Sequence, residues 1–282
     1  MATILSEILD RKWETVARLR ADLEAQDFRE RALAIRANAT PHRLLQALAG
    51  TPRCDVRSAP RADAKLKIIA EFKRRSPSAG TIRSDLSATD VAARYERGGA
   101  CAISVLTDEH YFGGSLADLV AIRESTALPL LRKDFIVDEI QIYEAAAVGA
   151  DAVLLIAAAF DDDALEKLRA TAEDELGLDA VVEVHTSEEL RRVVGGGARI
   201  IGVNNRDLRT FRTSLKTSEC LITEAPRDRI MISESGLQGA NDLRHLHALG
   251  FHGFLIGEAL MRATDPEAAL RELIHRTIAE SQ

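Results

Sequence analysis

The sequence has little cysteine. Cys54, Cys101 and Cys220 are odd in number, far apart and contain no C-x-x-C pair. That spacing argues against a disulfide framework and a cysteine-held zinc, and suits a reducing, cytoplasmic setting. No apolar run is long. The longest, Ala152 to Phe160, falls well short of the ~20 residues that span a bilayer. The first sixteen residues mix acids and bases among their apolar positions, so they lack the continuous core of a signal peptide. Positive charge is not in excess either. Lys+Arg 37 against Asp+Glu 44 gives −7, which makes nucleic acid a poor partner, although a local basic cluster can still hold a small anion.

Familiar catalytic signatures are missing as well. There is no H-E-x-x-H and no G-x-S-x-G, and Gly195-Gly196-Gly197 follows a helical pattern where a nucleotide loop precedes one. Asp161-Asp162-Asp163 opens a helical stretch, where acidic residues serve as caps and dipole partners more often than as metal ligands. No motif calls for a cofactor.

What is present divides near residue 64. Ile4, Leu5, Ile8 and Leu9 recur at helical spacing, and Val16, Leu19 and Leu23 extend the stripe past Trp13. Two more helical stretches follow, around 29–38 and 42–48. Residues 50–64 carry Pro52 and Pro60 among charges and read as a linker. After Lys65, eight β-rich runs appear at 67–72, 100–106, 129–135, 151–157, 179–185, 199–205, 230–235 and 253–258. Helical patterns separate most of them, several ending at a glycine that supplies a left-handed cap. Eight alternations predict an α/β fold, a (β/α)₈ TIM barrel over 65–282 with an N-terminal helical extension over 1–64. A doubly wound open sheet remains the alternative on periodicity alone.

Polar residues gather at the strand ends. By strand alternation Glu71 and Lys73 continue the face of Ile69, Lys133 follows Leu131, and Glu183 follows Val181. Asn204 and Arg206 follow Gly202, and Glu234 follows Ile232. A single charge at a strand end is usually solvated or paired. Five strands aiming such groups into one space are better explained by a site at the barrel mouth. Ser235, Gly236 and Gly257 end the seventh and eighth runs, where barrels often bind phosphate on backbone N–H groups. Arg206 and Ser76 can add hydrogen bonds there.

The segments IIAEFKRRSPSAGTI (68–82), LLRKDFIVDEIQIYEAAAVGADAVLLI (130–156), VVEVH (181–185), IGVNNRDL (201–208) and ISESG (232–236) together resemble the indole-3-glycerol phosphate synthase family. The resemblance implies a phosphorylated small-molecule substrate, 1-(2-carboxyphenylamino)-1-deoxyribulose 5-phosphate, converted to indole-3-glycerol phosphate, carbon dioxide and water. It implies Lys133 as general acid of ring closure, with Glu71, Lys73 and Glu183 around the later dehydration. Which of these three moves each proton stays open. Asn204 and Glu234 match substrate-orienting positions, while Ser76, Arg206, Ser235, Gly236 and Gly257 match the phosphate site. The extension resembles the family's segment over the barrel mouth. No cofactor, membrane or obligate protein partner is implied. One departure is Glu258, where some members carry serine; its carboxylate is expected to turn away from the phosphate. A related phosphosugar isomerase barrel and a non-catalytic metabolite-binding barrel are the rival readings.

Overall fold

In the computed structural model the described residues are 4–21, 27–49, 66–77, 79–207 and 212–279. The segment 50–64, read above as a linker, lies outside them. Eight parallel strands are hydrogen-bonded in sequence order: β1 (Lys67–Phe72), β2 (Ala102–Leu106), β3 (Leu130–Lys133), β4 (Ala152–Ile156), β5 (Asp179–Val184), β6 (Ile200–Asn204), β7 (Ile230–Glu234) and β8 (Gly253–Ile256). Closure is direct. Ile69 of β1 is in register with Ala102 of β2 on one side and with Leu255 of β8 on the other. The open-sheet alternative is thereby removed.

The strands read as unbroken apolar runs because both of their faces are covered. Outward residues such as Ile68, Phe72, Ile103 and Val105 pack against the ring of helices. Inward residues Ile69, Leu131, Leu154, Val181, Ile200, Ile232 and Leu255 form a separate cluster that fills the barrel. Helix ends follow local chemistry. Asp161 caps its helix by accepting from the Ala164 N–H at 2.9 Å, so the Asp triplet does begin with a cap. Gly99 takes the left-handed conformation with φ +95°. At the helix expected to end on Gly195, that glycine is still helical, and Gly197 adopts the positive φ instead. Two barrel helices were not anticipated from the periodicity, Leu116–Ser125 and Lys216–Glu224.

Among its described residues the extension has three helices, and they go to three different places. α1 (Ile4–Ala21) stands at the C-terminal mouth, where Ile4, Leu5 and Ile8 line the central cleft. α2 (Phe28–Arg36) packs along the Glu139–Ala147 helix on the flank. α3 (Arg43–Ala49) closes the opposite end, its Leu44 and Leu48 joining the cluster inside the barrel. Leu45 N–H donates to Asp179 Oδ2 at 2.9 Å, and Arg43 bonds both Asp151 oxygens at 2.8 and 2.9 Å. Only α1 therefore reaches the mouth. The apolar pair on α3 finds its partner below the site.

Candidate active site

Strand alternation brings all of the sequence-derived candidates to one cleft at the C-terminal ends of the strands. Glu71, Lys73, Ser76, Lys133, Glu183, Asn204, Arg206, Glu234, Ser235, Gly236 and Gly257 all line it. The cleft holds about 1200 Å³ of empty space and opens to solvent.

Its floor is a lattice of buried charges. Lys133 Nζ donates to Glu234 Oε2 at 2.6 Å and lies 3.6 Å from Glu183 Oε2. Lys73 Nζ is 2.6 Å from Glu71 Oε1. Glu71, Glu183 and Glu234 are almost wholly buried. Burial works against the Lys133 ammonium, yet Glu234, Glu183 and Glu71 outweigh it and raise its pKa. Burial likewise pushes Glu71 up, but Lys73, Lys133 and Arg206 hold it below the ordinary carboxylate value. Glu234 goes the other way. Burial raises it, with Glu183 and Glu71 adding to the lift against the pull of Lys133. Two carboxylates of one cleft are thus driven in opposite directions, the separation that acid–base chemistry uses.

Two glycines make room for this lattice. A Cβ on Gly202 would sit 2.2 Å from Glu234 Oε1, and one on Gly257 would sit 2.3 Å from Glu71 Oε1. Gly257 was expected to serve an approaching anion; in the structure its missing side chain also leaves the space that Glu71 fills.

The rim beside the floor is polar and strained. Ser235 and Gly236, after β7, are both left-handed, with φ +66° and +75°. For a non-glycine residue that conformation costs about 1–3 kcal/mol. Buried Asn205 sustains it, its Nδ2 donating to the Glu234 and Ser235 carbonyls at 3.0 and 3.1 Å. Asn204 Oδ1 accepts the Arg206 N–H at 3.0 Å, and Ser76 Oγ accepts the Ala79 N–H at 3.2 Å. Glu258, which also lines the cleft, pairs with Arg262 3.0 Å away on the same short helix.

Several residues escaped the sequence reading. Lys12 of α1 is buried and pairs with Asp108 at 2.9 Å and Asp134 at 2.6 Å. Its signal was available, since Lys12 continues the i, i+4 line of Ile4, Ile8 and Val16. Arg132 faces outward, as its alternation required, and pairs with Glu144 at 2.7 Å. His185, just past β5, lies beside Glu183.

The family model described as indole-3-glycerol phosphate synthase matches residues 5–273. The chain belongs to the indole-3-glycerol phosphate synthase family. A relative of that name from Opitutus terrae is 49% identical over 217 residues, covering 75% of this chain and 81% of the relative. One from Acidithiobacillus ferrooxidans is 42% identical over 97% of this chain and 99% of its own. One from Leptothrix cholodnii is 41% identical with the same coverage. Among solved structures, 3-hexulose-6-phosphate synthase from Salmonella typhimurium superposes with a TM-score of 0.58 at 16% identity, over 77% of this chain and all of its own. Thiamine phosphate pyrophosphorylase from Pyrococcus furiosus gives 0.57 at 18%, over 78% and 99%. At those identities the likeness shows the barrel fold alone.

Proposed function

We infer that this chain converts 1-(2-carboxyphenylamino)-1-deoxyribulose 5-phosphate to indole-3-glycerol phosphate, carbon dioxide and water, the carboxy-lyase step of tryptophan biosynthesis. The observation that carries the reading is Lys133, an ammonium held at 2.6 Å from Glu234 and 3.6 Å from Glu183 on the floor of the cleft.

In ring closure the aromatic carbon bearing the carboxylate attacks the ribulose carbonyl. The oxygen that becomes an alkoxide is far more basic than an amine. Lys133 can therefore give up its proton in the transition state even though its neighbours hold that proton tightly in the resting site. Loss of carbon dioxide restores the electron pair to the ring. Expulsion of the hydroxyl as water and loss of the proton that aromatises the indole then need an acid and a base. To those transfers we assign the Lys73–Glu71 pair and Glu183, with Lys73 also able to meet the anthranilate carboxylate. The phosphate belongs on the rim formed by Ser76, Arg206, Ser235, Gly236 and Gly257, while Asn204 and Glu234 orient the chain between the two ends.

In this reading the barrel over 65–282 is the catalytic unit, and α1 of the extension is a lid whose Ile4, Leu5 and Ile8 cover the aromatic ring. A cytoplasmic setting, action on a small phosphorylated molecule and independence of a protein partner belong to the same proposal. The test is to mix the protein with the carboxyphenylamino-deoxyribulose phosphate and follow indole fluorescence. Product formation that Lys133→Met abolishes supports the reading. Tight binding without product would leave a binding module instead.

A further inference from the structure

His185 lies at the end of β5, on the same inward alternation as Glu183, but it does not line the cleft. Its Nε2 is 3.5 Å from Glu183 Oε1, while the other oxygen of Glu183 faces Lys133 at 3.6 Å. That Nε2 is buried and makes no hydrogen bond. On its far side, Nδ1 is 3.7 Å from Glu189 Oε2, and the His185 backbone N–H donates to the same oxygen at 2.7 Å. Glu189 sits in the first turn of the Ser187–Gly195 helix, whose dipole favours a carboxylate there. Glu183, His185 and Glu189 thus form a line running from the cleft to a helix N-terminus.

We propose that His185 is a positioning residue for Glu183, its imidazole set between Glu189 and Glu183 and holding the Glu183 side chain turned toward Lys133. The proposal rests on the reading of Glu183 as a group that takes up a proton in the dehydration steps. The charges facing His185 are Glu183 from its own strand, Glu189 from the helix that follows and Glu234 from β7, all negative. Lys133 stands beyond Glu183. Burial disfavours the imidazolium, but the nearby carboxylates of Glu189 and Glu183 prevail and raise its pKa above the usual histidine value. Glu189, despite burial, is held below the ordinary glutamate value by His185. An imidazolium there puts a positive charge 3.5 Å from one oxygen of Glu183, while Lys133 faces the other at 3.6 Å.

The sign follows directly. Without a positive charge 3.5 Å from Glu183 Oε1, activity is expected to be lost at a higher pH on the acid side. In His185→Gln the acid limb of kcat is expected to move up by roughly 1 pH unit, with KM changed less than about two-fold. A merely structural role would lower kcat or stability without moving the limb. A second measurement needs no turnover. The imidazole C–H resonance that His185→Gln deletes is followed through a pH titration of the substrate-free protein, in Glu183→Gln and Glu189→Gln variants. Each substitution is expected to lower its midpoint. A parent protein that makes no product defeats the functional reading and with it the role of Glu183. An active parent whose acid limb is unmoved by His185→Gln, or an imidazole midpoint indifferent to Glu183→Gln, overturns this inference alone.

Discussion

Lys12, on the first helix of the chain, lies 2.6 Å from Asp134, the residue immediately after Lys133. Its second partner, Asp108 at 2.9 Å, belongs to the loop after β2, so one lysine joins the extension to two neighbouring strand ends. The cluster is crowded, since Asp134 Oδ2 also accepts from Thr107 Oγ1 at 2.7 Å. Breaking a buried pair by removing one partner typically costs about 3–5 kcal/mol, because the remaining charge stays buried. Lys12→Met is therefore expected to undock α1. Amide hydrogen exchange checks this: residues 4–21 should lose protection while the barrel strands keep theirs. Unchanged protection in α1 would show that its apolar face suffices.

Acid should act on the same contact. Burial tends to raise the Asp134 carboxyl, but Arg132 and Lys12 hold it below the usual aspartate value of 3.8. A carboxyl depressed in the folded state contributes stability that is present above its unfolded value and lost as pH falls through the folded one. Docking of α1 is expected to hold from neutrality down to about pH 4 and to fail below it. Fluorescence of Trp13, the single tryptophan and the neighbour of Lys12, reports the change. A Trp13 signal flat to pH 2 at constant far-ultraviolet dichroism would count against it.

For Lys133, Lys133→Met preserves side-chain length and removes the proton, and kcat should fall about 10²–10⁴-fold. Lys133→Arg should fail as well, since a guanidinium is a poor donor at neutral pH. The neighbouring Arg132→Met makes the contrast. It removes the Arg132 partner of Glu144 while Asp134 keeps Lys12 and Thr107, so it should lower the melting temperature and spare most of the rate. Turnover that survives Lys133→Met but not Arg132→Met would put the acid on the other face of the strand.

At Gly202 the expected effect is on rate. The nearest obstacle to a new methyl group is the tip of the Glu234 side chain, which can swing aside and leave Lys133 without its short hydrogen bond. Gly202→Ala should fold and lose at least ~10-fold in kcat, near the scale of one misplaced charged hydrogen bond. Parent-level kcat in this variant would show that the Lys133–Glu234 contact is dispensable.

Arg206 tests the rim. If its guanidinium bonds the phosphate, Arg206→Ala weakens substrate binding by about 1.5–3 kcal/mol, and the loss shrinks for an analogue without phosphate. Equal losses with both compounds, measured by titration, would make Arg206 a structural residue.

The strands and the inward charges were legible because their signal is local and periodic. Both faces of a barrel strand are buried, so each run announces itself as apolar, and alternation alone aims Lys133, Glu183 and Glu234 at one another. The Leu116–Ser125 helix was not legible. Its apolar residues surround the axis instead of forming a stripe, so periodicity does not mark it, and its burial comes mainly from packing on the Ala88–Gly98 helix. Lys12 was missed because a lysine on a helix is read as solvent-facing unless its partners are known, and those partners lie about a hundred residues away. Gly257 was read through the backbone and Gly202 only as a position on the inward face, whereas both yield volume to a side chain from an adjacent strand. That role depends on cross-strand register, which one sequence does not display.

The seating of α3 has a consequence for how the molecule is made. Leu44 and Leu48 belong to the same interior cluster as Ile200, Ile230 and Ile232, and α3 lies against β5 and β7. A nascent chain exposes α3 early, but its resting place does not exist until the seventh strand has been synthesised. Contacts of such sequence separation are slow to form. Until then two leucines wait in water, and a chain stalled before β7 carries an apolar helix that other unfinished chains can bind. A helix that precedes every strand in the chain is thus seated only near the end of assembly.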